Sequence, residues 1–288
     1  MTAQPGRPDE TLFDLPKQDG AKAPTTRKSR RPAPRGPAER LPVARVIVDT
    51  PLPHLDRYFD YRVPADMDES AVPGCRVRVR FNNRLLNGFL AERVQTSEFP
   101  GQLAYLESVV SPEPVLTPEI LGLARAVADR YAGTLSDVLR LAVPPRHARV
   151  EKEVGDAPEA GTHIGEAEGA GGTAEIESLG PWADYPEGPS FLHALREGRP
   201  ARAVWNALPG GDWTAAVAIA ARATLAAGRA TVIVVPDGRD VASVDTALGL
   251  HVGEGRYVAL TADLGPAERY RRWLAVLRGR VQVVVGTR

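Results

Sequence analysis

Between Cys75 and Phe81 apolar and basic side chains alternate without a break, with Cys75, Val77, Val79 and Phe81 on one side and Arg76, Arg78 and Arg80 on the other. Successive residues of a strand face opposite ways, so the run predicts a β-strand with one face in a core and one cationic face. Two further β-rich runs precede it, Val43 to Asp49 and Tyr58 to Val63. Pro-rich turns separate the three, and together they read as a small meandering sheet. The second run carries Tyr58-Phe59-Asp60-Tyr61, aromatics around one carboxylate. Aromatic rings stack on bases, and a carboxylate accepts from a base or a sugar hydroxyl.

Leu85 to Val94 and Ala104 to Val110 read as two more strands, with Asn87-Gly88 permitting a bend. Arg84 in the Asn-Asn-Arg turn extends the basic face; the competing reading of this face is an ordinary solvated surface. Phe59 and Tyr61 have a bland alternative too, in which alternation turns them into the core. A helix is expected from Thr117-Pro118-Glu119, with Thr as cap, Pro in the first turn and an acid near the positive end. Ile120, Leu123, Ala124, Val127 and Tyr131 recur at helical spacing and predict its buried stripe, with Gly133 just past its end. A second helix, Ser136 to Ala142, stops at Pro144-Pro145.

The net charge of zero conceals segregation along the chain. Residues 21 to 40 hold seven basic residues against Glu39, and residues 151 to 188 hold ten acidic residues against Lys152. The first 40 residues have few large apolar side chains and read as a disordered basic arm, either attracting phosphates or merely solubilising. Residues 150–188 read as an acidic, Gly-rich linker, in which His163 is solvated. Cys75 is the lone cysteine. A single inward-facing thiol excludes an intrachain disulfide and a Cys-type zinc site, and argues for a reducing, cytoplasmic setting. No apolar run approaches a membrane span, so no membrane partner is expected.

From residue 189 the pattern changes to alternating helices and strands. Helices are expected at Phe191 to Arg196, Thr214 to Ala227 with Gly228 past its end, Val241 to Leu248 and Pro266 to Leu277. Strands are expected at Ala201 to Ala207, Ala230 to Val235, Arg256 to Thr261 and Val281 to Val285. This order implies a parallel sheet covered on both faces, hence an α/β chain overall.

The blocks VARV, TPLPHLDRYFDYRVP, PGCRVRVRF, EPVLTPEILGLARAVADRYAG and VVVGTR, in this order, resemble the PriA family of replication-restart DNA helicases. The resemblance implies a domain at 41–149 that binds the 3′ end of a nascent strand, after a basic tail at 1–40. It implies an incomplete RecA-like, P-loop NTPase-like lobe at 189–288, beyond the linker. Phe59, Asp60 and Tyr61 match the family's pocket for the terminal base, and Arg76, Arg78, Arg80 and Arg84 would meet the DNA backbone. A Gly and a Lys of the family pocket fall on Asn82 and Ala104. The resemblance also implies partners: DNA forks, 3′ ends and single strands, with other primosome proteins, the replicative helicase and single-strand-binding protein.

In the family the lobe binds ATP through GxxxxGK[ST], whose glycines bring backbone N–H groups to the phosphates. Here the corresponding loop includes Gly210, Gly211, Asp212, Trp213 and Thr214. Trp213 stands at the Lys position and Asp212 at the last Gly, so a cation is lost and a carboxylate placed where polyphosphate would lie. ATP, magnesium and zinc, the family's cofactors, are therefore not expected, and no catalytic residue is assigned. The expectation is a DNA-binding restart factor without helicase activity. The alternatives are a fragment of an active ATP-dependent 3′ to 5′ helicase and, more remotely, a doubly wound small-molecule enzyme.

Overall fold

The computed structural model describes residues 36–155 and 179–287, so the basic arm up to residue 35 and most of the Gly-rich stretch, with His163, lie outside the described residues. Five antiparallel strands come first: β1 (Val43–Val48), β2 (Tyr58–Arg62), β3 (Arg76–Phe81), β4 (Arg84–Val94) and β5 (Ser108–Ser111). Their order is β2-β1-β4-β3-β5, not a simple meander. The reason lies in the Asn82-Asn83 turn. Both asparagines take left-handed backbone, φ 48° and 59°, which Asn tolerates and a two-residue hairpin turn requires. That tight turn commits β3 to β4. The eleven-residue β4 then pairs on its other edge with β1, separating β3 from β2.

The run expected as one strand from Ala104 to Val110 changes partners midway. Arg62 N donates to Ala104 O at 2.7 Å and Leu106 N to Arg62 O at 2.9 Å, against β2. One residue later Glu107 N donates to Arg78 O at 3.0 Å, and β5 continues along β3. The sheet thereby closes on itself as a small barrel. Its interior holds Ala44, Val46, Tyr61, Val63, Cys75, Val77, Val79, Leu90 and Leu106, all buried, each large side chain contributing about 1.5–3 kcal/mol. The inward alternation read at β3 is the alternation seen.

Two helices cover part of the barrel's outer face, α1 (Pro118–Arg130) and α2 (Leu135–Ala142), resting on Ile47, Phe89 and Ala91. Thr117 caps α1 by accepting from Ile120 N at 3.3 Å. Its buried stripe is Ala124 and Ala128, flanked by Ile120 and Leu121; Leu123 and Tyr131, expected to be buried, are 67% and 78% exposed. Small alanines let α1 lie close to its neighbours, which turns the larger residues outward. The left-handed residue past the helix is Ala132, φ 52°, not Gly133. Helix α2 is pinned to the barrel by Ser136 Oγ donating to Thr50 O at 2.6 Å and by Leu135 N donating to Asp56 Oδ1 at 3.0 Å.

The expected linker is structured at both ends. Helix α3 (Ala148–Gly155) runs into it, with Val150 and Glu151 buried. A 3₁₀ turn at Gly180–Asp184 leads out of it. There Trp182 is buried among Tyr185, Phe191 and Trp205 and donates from Nε1 to Ala216 O at 2.7 Å.

The remaining elements are α4 (Gly188–Arg196), α5 (Trp213–Ala226), β6 (Thr231–Val234), α6 (Gly238–His251), β7 (Tyr257–Leu260), α7 (Pro266–Leu277) and β8 (Val283–Gly286). The three strands are parallel, in the order β6-β8-β7. The expected strand at 201–207 does not form, because Trp205 is drawn into the Trp182 cluster and the run has no ladder partner among the described residues. Gly228, φ +69°, does follow α5 as the sequence indicates. One face of the sheet packs Val283 and Val285 against α5 and α6. Cover is not complete on the other, where Val232 and Val234 of β6 are 73% and 62% exposed. From Pro37 onward the elements form one unit, joined by Val150 of α3 on Tyr270 and Leu274 of α7 and by Arg278 on Glu113 at 2.6 and 2.9 Å.

Candidate nucleic-acid interface

The Phe59-Asp60-Tyr61 triplet lies on β2, and alternation splits it. Tyr61 is buried in the barrel, 4% exposed, with its hydroxyl donating to Arg80 O at 3.3 Å. Burial pushes that phenol up to about 12. Phe59 is partly buried, edge-on to Phe81 at 4.8 Å, with the Arg57 guanidinium 4.9 Å over its ring. Asp60 faces outward: Ser97 Oγ donates to its Oδ2 at 2.5 Å, and Arg45 stands 3.9 Å from Oδ1. The three side chains therefore do not surround one pocket. Tyr61 offers no face on which a base could stack, which corrects that expectation.

The segments bearing the expected pocket do converge. Phe59 touches Phe81, the neighbour of Asn82, and Ala104 is bonded to Arg62 beside Tyr61. Two exposed aromatics lie by Asp60: Tyr58, 46% exposed two residues before it on β2, and Phe99, 60% exposed, whose N–H donates to Ser97 Oγ at 3.0 Å. Arg45 and Ser97 went unassigned from sequence, whereas Tyr58 is among the aromatics read around the carboxylate. Arg45 sits directly across from Asp60 in the β1–β2 register, so knowledge of that pairing alone would have found it.

The four arginines also divide. Arg78 and Arg80 are exposed on the outer face, and Arg84 is exposed at the hairpin end, where its register opposite Phe81 sets it on the other side of the sheet. Arg80 is paired with Glu107 at 3.2 Å, Arg78 donates to Asn87 Oδ1 at 3.4 Å, and Arg84 has no partner among the described residues. Arg76 does not face solvent freely, because the chain leaving α2 covers it: it donates to Pro144 O at 2.6 Å and lies 5.4 Å over the Phe89 ring. Burial lowers its pKa despite nearby Tyr270 and Glu151. Alternation alone had grouped it with Arg78 and Arg80.

Around the glycine-rich loop, several backbone donors are already engaged. Gly211 N donates to Leu208 O and Trp213 N to Gly211 O, both at 3.0 Å, and Leu208 N donates to Tyr185 Oη at 2.8 Å. Asp212 is the cap of α5, accepting from Ala215 N at 2.9 Å and from Thr214 Oγ1 at 2.8 Å. The Ala215 N–H, with the other donors of the helix start, holds this carboxyl below its ordinary range. Trp213 packs on the core beneath the parallel sheet. The depression beside the loop, between Pro181, Tyr185, Trp205 and Trp213, holds only about 10 Å³.

Residues 45–144 match the family model of the PriA 3′ DNA-binding domain. The probable replication restart protein PriA of Mycobacterium tuberculosis is 53% identical over 237 residues, 82% of this chain and 35% of that protein. The corresponding protein of Mycobacterium leprae is 49% identical over 239 residues, with shares of 82% and 35%. This chain belongs to the PriA family. The replication restart protein PriA of Bacillus subtilis is more distant, 31% identical over 113 residues, 38% of this chain and 14% of that protein. The chain spans about a third of the length of the mycobacterial relatives. The matched PriA domain begins within β1 and ends just past α2, so barrel and helical cover belong to one module. Among the described residues no helix is long and apolar enough to cross a membrane.

Proposed function

We propose that this chain is the DNA-recognition part of a replication-restart protein, that its barrel binds the 3′ end of a nascent strand, and that its α/β region acts as a scaffold without hydrolysing ATP. The observation that carries this reading is the convergence of the Phe59–Tyr61 strand, the Asn82 turn and Ala104, beside an outer face bearing Arg78 and Arg80 and a hairpin end bearing exposed Arg84. In this reading Asp60, oriented by Ser97 and Arg45, accepts from the terminal sugar hydroxyl. Tyr58 supplies the aromatic surface, and Phe59 and Tyr61 shape the wall behind it. Phosphates lie along the arginines, which attract any DNA and carry no information about its end.

Loss of ATPase function is supported by the self-satisfied loop. A phosphate cradle needs free N–H groups at a helix start, and here Asp212 occupies them from within the chain. The further role in this reading is marking abandoned forks for reloading of the replicative helicase with other primosome proteins, and the likeness to replication restart proteins supports it. The test is fluorescence anisotropy with a duplex whose 3′ end is free or blocked. Asp60→Ala should weaken binding to the free end by roughly tenfold and to the blocked end by much less. Equal losses on both would overturn end recognition.

A further inference from the structure

A cleft beside the barrel lies outside the Asp60 region. It measures about 510 Å³ and opens between the outer face of β1, β3 and β4 and the inner face of α2 with the chain that follows. That is within the roughly 300–1,000 Å³ of small-ligand sites. Its floor and roof are apolar: Ile47 and Phe89 from the sheet, Leu139 and Val143 from the helix side. Arg76, Arg78, Arg140 and Arg146 line it. Arg76 Nε is buried there with no hydrogen-bond partner among the described residues.

We infer that this cleft holds one nucleoside monophosphate unit, its base between sheet and helix and its phosphate at the arginine rim. The shape supplies an apolar slot for a planar ring, and guanidinium planes both stack on bases and chelate phosphate oxygens. Charge then limits the occupant. Arg140 is paired with Asp49 and Asp137, and Arg146 with Glu151. Four guanidinium groups thus face three carboxylates, leaving one positive charge, which suits a single phosphodiester or monophosphate better than a triphosphate or an acidic peptide. At the open end, Arg78 leads on to Arg80 along the same face of β3, a path a strand could follow into the cleft. Where the unit comes from a DNA strand, the inference rests on the DNA-binding reading above.

The test is photolabelling of the intact chain with 8-azidoadenosine 5′-monophosphate, followed by peptide mapping. Label should fall on peptides from 76–89 or 136–146 and be suppressed by excess AMP, but not by inorganic phosphate alone. Asn87 is exposed at the mouth, so Asn87→Trp should fill the cleft without unfolding the barrel and lower labelling at least tenfold. Suppression by a single-stranded oligonucleotide identifies a strand as the source, and suppression by AMP only identifies a free nucleotide; both support the site. Dispersed labelling, labelling unchanged in Asn87→Trp, or suppression by an acidic peptide and not by AMP would overturn it. Anisotropy on the same samples separates the two readings, since intact DNA binding without cleft labelling removes the cleft alone.

Discussion

Tyr270 donates its hydroxyl hydrogen to Glu151 Oε1 at 2.6 Å, joining α7 of the α/β region to α3 across 119 residues of sequence. The same carboxylate accepts from Arg146 Nε at 2.6 Å and from Ser111 Oγ of β5 at 3.0 Å. One buried group therefore ties barrel, connecting helix and α/β region together. Tyr270→Phe should destabilise the chain by about 1–2 kcal/mol, and Glu151→Gln by about 2–4 kcal/mol because it leaves Arg146 uncompensated. Urea titrations of the intact chain check both values, and losses below about 0.5 kcal/mol would show the contact to be dispensable.

The same carboxylate sets a pH dependence. Burial alone would raise the pKa of Glu151, but hydrogen bonds from Tyr270, Arg146 and Ser111 outweigh it and hold the group below its ordinary 4.5. A depressed folded-state value contributes stability above the unfolded pKa and loses it as pH falls through the folded value. Between about pH 5 and pH 3 the wild-type urea midpoint should fall further than that of Glu151→Gln. Parallel declines would mean that other carboxylates carry the acid sensitivity.

The exposed arginines should behave as phosphate-binding groups. Changing Arg78, Arg80 and Arg84 together to Gln should weaken all DNAs and flatten the slope of log affinity against log salt by about 0.7–0.9 for each phosphate no longer neutralised. Arg76→Gln should instead lower stability, since its guanidinium holds Pro144 O. An unchanged salt slope in the triple variant would make these arginines ordinary solvated groups.

For the glycine-rich loop, Trp213→Lys alone should not recover ATP binding, because Asp212 still caps the helix from inside. Asp212→Gly with Trp213→Lys removes that internal anion and restores a cation, and weak binding should then become measurable by calorimetry with ATP and magnesium. Micromolar binding by the unmodified chain would overturn the inactive-loop reading.

Cys75 is fully buried and its thiol is pushed up to about 12 by that burial. Since the thiolate is the reactive form, Ellman's reagent at about pH 8 should modify the folded chain only as fast as it unfolds, and the urea-unfolded chain at once. Rapid modification of folded protein would mean that the barrel opens readily.

Much of this architecture was legible because it is local. Alternation at Cys75 to Phe81, the Thr117 cap and the Gly228 stop each follow from a few neighbouring residues. Strand order was not legible, since β4 inserts between β1 and β3 through pairings that no short window contains. Arg76 carries the same alternation signal as Arg78, and only the chain beyond α2 distinguishes them by covering it. Glu151 reads as one more acid in an acidic stretch, and its burial depends on Tyr270, far along the chain. The Phe59-Asp60-Tyr61 strand was found, but the separation of its faces makes Asp60 and Tyr58 the outward pair.

The closing run from Ala104 to Ser111 has one further consequence. Because it bonds β2 with its first half and β3 with its second, neither seam can part while the other holds it in register. The amides of Arg62, Leu106 and Glu107, spread over two strands and their connection, should then exchange with deuterium at one common rate, as a single opening event. A nick in the exposed stretch before Ala104 would leave both seams in place, whereas a cut between Leu106 and Glu107 would release them together.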